Sequence, residues 1–105
     1  MTLYHIVISL DVAAQIREQV LFIAQHSIDN ALAWEDWLSR EIQAIRQMPA
    51  GHPVDEAATH RLGATVRKVV FERTFLIFYT IDEVNRRIEI VHLRHGARLP
   101  QPGKM

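Results

Sequence analysis

Cysteine is absent from the 105 residues, and glycine and proline occur only four times each. Without thiols there is neither a disulfide framework nor a thiolate metal site, a composition in keeping with a reducing compartment. So little glycine and proline excludes collagen-like and Pro/Gly-rich low-complexity chains, and no internal repeat is visible. Long hydrophobic runs are missing too: the longest purely apolar stretches span a few residues, against the roughly 20 that a membrane helix needs. The opening "MTLYHIVISL" carries no basic n-region, so no export signal is expected and the cytoplasm is the expected location. Net charge is zero, with twelve Lys+Arg against twelve Asp+Glu, which excludes a uniformly basic nucleic-acid-coating chain.

What is present is an ordinary globular composition, 49% hydrophobic and 23% charged. A chain of this length buries roughly two-thirds of the surface its unfolded form exposes, enough for one core. The zero net charge conceals a division. Residues 1–60 hold three basic side chains against eight acidic ones, a net of −5, and residues 61–105 hold nine against four, a net of +5. Two solvated acidic helix faces would produce that split; so would a basic surface reserved for an anionic or acidic partner.

The periodicity predicts a strand, two helices and three strands. In "LYHIVISL", Tyr4, Ile6, Ile8 and Leu10 alternate with Val7 at a period of two. Asp11 offers a helix N-cap, and Ala13, Ile16, Val20, Ile23 and Ala24 follow at helical spacing as far as His26. Ser27 caps a second helix with Asp29 in its first turn. Ala31, Trp34, Leu38, Ile42 and Ile45 form its buried stripe, Trp34 and Trp37 read as core and core edge, and Pro49 and Gly51 close it. Residues 49–61, with two prolines and no sustained apolar period, read as a loop. "RLGATVRKVVF", "TFLIFYTI" and "RRIEIVHLR" then read as strands joined by the turns "ERT" and "DEVN". Phe75, Ile77, Tyr79 and Ile81 alternate with Leu76 and Phe78, so this strand is apolar on both faces, as one covered on both sides should be.

The expected fold is therefore α+β, in the order β-α-α-β-β-β: a largely antiparallel four-stranded sheet with a two-helix hairpin packed on one face. One domain is expected over residues 1–98, with 99–105 as a flexible tail. The segments "SLDVAAQI", "MPAGHP", "LGATVRKVVF", "FLIFYTID" and "IVHLRHGARLP" occur in an order that resembles the RelE/ParE superfamily of type II toxin–antitoxin toxins, also described as plasmid stabilisation proteins. The likeness covers about residues 3–98 and lies nearer the ParE branch.

That resemblance implies growth inhibition, a cognate antitoxin as partner, and assembly as a homodimer or as a heterotetramer with the antitoxin. It implies no cofactor, no metal, no membrane contact and no direct DNA binding by the toxin alone. Two activities follow from it. A RelE-type chain is a ribosome-dependent mRNA endonuclease, for which Arg67, Arg94, His95 (or His92) and Tyr79 are the matching catalytic candidates. A ParE-type chain inhibits DNA gyrase by protein contact, for which Arg67, Arg94, His95 and Arg98 are the partner-binding candidates. The segment after the last strand, "GARLPQPGKM", lacks the acid/base side chain RelE-type chains usually carry there, and "AGHPVDEAATH" offers Asp55 and Glu56 but no lysine. Both departures favour the gyrase inhibitor; an inactive member that only binds its antitoxin is the further alternative. Arg67, Arg94 and Arg98 are expected on one side of the sheet. A plainer role for Arg67 is a cross-sheet pair with Glu89, and His92 and His95, three apart on a strand, are expected on opposite faces, which argues against a shared metal.

Overall fold

The computed structural model describes residues 3–71 and 74–95. Strand β1 (His5–Ile8) leads into helix α1 (Leu10–Ala24), a tight turn into α2 (Ile28–Gln47), and a 3-10 turn over Pro49–Gly51. Then come a short helix α3 (Glu56–Leu62) and strands β2 (Arg67–Phe71), β3 (Phe75–Asp82) and β4 (Arg87–His95). The sheet order is β1-β4-β3-β2, antiparallel except where β1 runs parallel beside β4. The α+β class and the helical hairpin on one sheet face are as the periodicity predicted. The predicted turn "ERT" falls partly on Glu72 and Arg73, and the predicted tail 99–105 falls wholly, outside the described residues.

Three local expectations are corrected. Helix α1 starts earlier than Asp11, because Ser9 is extended (φ −62°, ψ 157°) and its Oγ accepts the Val12 N–H at 3.2 Å, leaving Asp11 in the first turn. Leu10 consequently belongs to the helix, and is exposed, instead of continuing the strand face. Residues 49–61 are also not one loop. Asp55 caps α3 by accepting the Ala58 N–H at 2.9 Å, and Gly63 ends it at φ 80°, where only glycine is unstrained. The caps in "DEAATHRLG" signal this helix; seven residues are too few for its apolar period to do so.

The core between the hairpin and the sheet is built from Val12, Trp34, Leu38 and Ile45 against Val69, Phe71, Phe75, Ile77, Tyr79, Ile88, Ile90 and Leu93. Trp34 meets Phe71 and Phe75 edge-on at 5.7 and 5.3 Å. Trp37, in contrast, is 45% exposed; three residues past Trp34 it lies off the strip the sheet covers. The opposite sheet face holds a second, smaller cluster: Ala58 of α3, Val66 and Phe78, with Leu76 and Val91 against it. Strand β3 is thus packed on both faces, as its run of apolar residues implied.

A bulge decides which way the end of β4 points. Phe78 pairs with His92 but Tyr79 pairs with Ile90, so Val91 is an extra residue in β4. Ile88, Ile90 and Leu93 can therefore all enter the main core despite spacings of two and then three.

Candidate functional site

Ordinary alternation along β4 after the bulge separates the basic residues of "VHLRH". His95 lies on the helix face with its ring 4.5 Å from Phe75, while His92 lies 5.7 Å from Phe78 on the opposite, open face. Arg94 is on the open face as well, its guanidinium carbon 5.1 Å from the Phe78 ring centre. The two histidines thus face apart, as their spacing implied. Arg98 lies outside the described residues.

Arg67 does not join Arg94. It stands opposite Tyr79, on the helix face, and its Nη1 donates to the carbonyl oxygens of His52 at 2.6 Å and Ala50 at 3.5 Å. The expectation that Arg67 and Arg94 share one side of the sheet is not met. Nor does Arg67 pair with Glu89: β3 separates their strands, and Glu89 stands beside Thr80, whose side chain faces away from that of Tyr79.

Tyr79 completes this buried corner. Its side chain is fully buried, and its hydroxyl donates to the Pro49 carbonyl at 2.5 Å. Arg67 and Tyr79 together therefore satisfy carbonyls of residues 49–52 where the chain leaves α2. Burial pushes the Tyr79 hydroxyl up to about 12, with the Arg67 guanidinium pulling the other way. An unfolded tyrosine ionises near pH 10, so the stability this gives is intact below pH 10 and is lost as pH rises towards 12. A tyrosinate-absorbance titration should show Tyr79 ionising only at about pH 12 or with unfolding. The late step should disappear in Tyr79→Phe; ionisation of Tyr79 near pH 10 in the folded protein would contradict its burial.

Two clefts flank β4. The first, about 430 Å³, lies between α1 and β4 and is lined by Gln15, Glu18, Gln19 and Phe22 on one side and Phe75 and residues 92–95 on the other. It exists because β1 pairs only with residues 87–90 of β4, and the chain then turns away into α1. Gln15 Oε1 accepts the Leu93 N–H at 3.4 Å in place of a strand neighbour. The second cleft, about 420 Å³, is on the open face beneath α3, where Arg61, His92 and Arg94 surround an apolar floor. Desolvation, then the charges of Arg94 and Arg61, hold His92 below its ordinary pKa. Sequence reading missed Arg61 because it was assigned to a loop; as part of α3 it is carried over the sheet to Arg94.

No helix among the described residues is long and apolar enough to cross a membrane. Comparison with curated proteins finds no significant match. The family model described as the ParE toxin of type II toxin–antitoxin systems, parDE, matches residues 6–100, which takes in β1, the hairpin, the bulged β4 and the "HGAR" segment. With nearly the whole chain so matched, on the fold its residues build, the protein belongs to the ParE toxin family of type II toxin–antitoxin systems.

Proposed function

We propose that the chain arrests growth by binding DNA gyrase, without RNA chemistry of its own, and that its cognate antitoxin holds it inactive. The observation carrying this reading is the division of the nuclease candidates between the two sheet faces, with His92 alone among them sharing Arg94's face. Arg67 and Tyr79 are tied to the carbonyls of residues 49–52, and Arg94 is on the other sheet face. His95 packs on Phe75, four residues along β3 from Tyr79 and so about 13 Å away. In-line attack by a 2′-hydroxyl needs a base, an acid and a cation within reach of one phosphate. A tyrosine raised to about 12 also serves poorly as acid or base at neutral pH.

The antitoxin fits the cleft beside α1. Among the described residues the edge of β4 beyond Ile90 has no strand next to it on that side, which suits an added extended segment, and the exposed apolar side chains Leu21, Phe22, Ile28 and Leu32 of the hairpin suit an amphipathic helix. Expression without antitoxin should arrest growth, induce the DNA-damage response and raise gyrase-linked double-strand breaks, while mRNA on translating ribosomes stays uncut. Co-expressed antitoxin should abolish the arrest and co-purify with a Kd below about 1 μM, equivalent to about −8 kcal/mol. Codon-dependent mRNA cuts, with gyrase unaffected, would reverse the reading in favour of the nuclease; arrest-free expression would leave only an antitoxin-binding protein.

A further inference from the structure

We infer that the cleft beneath α3 is a docking site for an acidic segment of a partner protein, one in which a carboxylate stands beside an aliphatic side chain. This goes beyond the gyrase reading and does not depend on which protein the partner is.

The floor of the cleft is apolar: Val66 and Phe78 are buried at its base, Ala58 and Val91 form its sides, and Leu62, 54% exposed, forms its lip. Its polar groups are Arg61, His92 and Arg94, and among the described residues no carboxylate lines it. Among the described residues neither Arg61 nor Arg94 is in an ion pair. Lys68 and Arg87, further cations of this face, are engaged by Asp55 at 2.9 Å and by Asp82 at 3.4 Å. Two guanidiniums at the mouth of an aliphatic trough match a carboxylate carried next to a branched aliphatic residue, with Arg offering the fork geometry that carboxylates accept.

The same surroundings disfavour a nucleic acid. Single strands need exposed aromatic faces for stacking and a continuous cationic track. Phe78 is only 3% exposed, with Arg94 already over its ring, and β4 carries the exposed Glu89 further along the same face. The positive charge is confined to one end of the sheet, enough for one or two carboxylates.

The test uses the full chain and a fluorescein-labelled, C-terminally amidated peptide Glu-Leu-Asp-Leu-Glu, with Lys-Leu-Lys-Leu-Lys as its counterpart, followed by anisotropy and by amide chemical shifts. The acidic peptide should bind at least tenfold more tightly than the basic one and shift the amides of Ala58, Val91 and His92. The double variant Arg61→Gln, Arg94→Gln should weaken it at least tenfold at low salt. Leu62→Asp, an exposed position whose substitution spares the core, should weaken it independently; melting temperatures identify any variant that fails to fold. Equal binding of the two peptides, no binding at millimolar concentration, full affinity in the folded double variant, or shifts confined to α1 would each overturn the inference. So would an oligouridylate that displaces the peptide from these amides and binds more tightly.

Discussion

Trp34→Ala is expected to destabilise the protein by about 3–5 kcal/mol, the range for removing a buried large aromatic side chain. Trp34 is 4% exposed and is the contact through which α2 engages the two phenylalanines at the β2–β3 end of the sheet. Domains of this kind have about 5–15 kcal/mol in all, so the variant should sit at the margin of folding at 37 °C. Its loss is measurable as a lower denaturant midpoint. Trp34→Phe supplies the control. Among the described residues Nε1 of Trp34 is buried without a hydrogen-bond partner, so the phenyl ring forfeits no hydrogen bond with them and retains the edge-on contacts, and it should cost roughly half as much or less. A phenylalanine variant as unstable as the alanine one would mean that the indole nitrogen has a partner in the folded state.

Arg67→Ala is expected to cost about 1.5–3 kcal/mol, the range for hydrogen bonds made by a charged group, because it leaves the His52 and Ala50 carbonyls without their donor. Arg67→Lys should recover only part, since the ammonium ends a shorter, more strongly hydrated side chain that does not reproduce the position of Nη1 between the two carbonyls. Arg94→Ala is the contrasting case. Its ring contact with Phe78, at a half-buried side chain, is worth about 1 kcal/mol, so the fold should change little while partner binding falls. Denaturation curves of the two variants separate these roles: equal losses of stability would mean that Arg67 is as dispensable to the fold as Arg94. Arg67 thus acts as a clasp for the chain between α2 and α3.

Much of this protein was determined by local sequence. The alternation in "IVIS" and "FLIFYTI" and the three- and four-residue steps from Ala31 to Ile45 specify strands and helix directly, because side-chain direction repeats every 2 residues in one and every 3.6 in the other. Ser27 and its N-cap bond to Asn30 are equally local, and the ordered segments from β1 to "HGAR" carried the family. Tertiary structure decided what depends on residues far apart in the chain. Strand parity alone would place Ile88, Ile90, His92 and Arg94 on one face and Leu93 on the other, but only the pairing of β4 with β3 reveals the extra residue at Val91 that keeps Ile90 and Leu93 in one core. Arg67 reads in "TVRKVV" as part of a basic surface or as a partner for Glu89; its side chain is committed elsewhere because carbonyls 15 and 17 residues earlier come to lie over it. Arg61 is the converse: unremarkable in "ATHRLG", it becomes part of a cleft once α3 is folded across the sheet beside Arg94. Periodicity reports the direction of a side chain relative to its own backbone, whereas the groups that meet it are set by sheet order and register, which no stretch of local sequence contains.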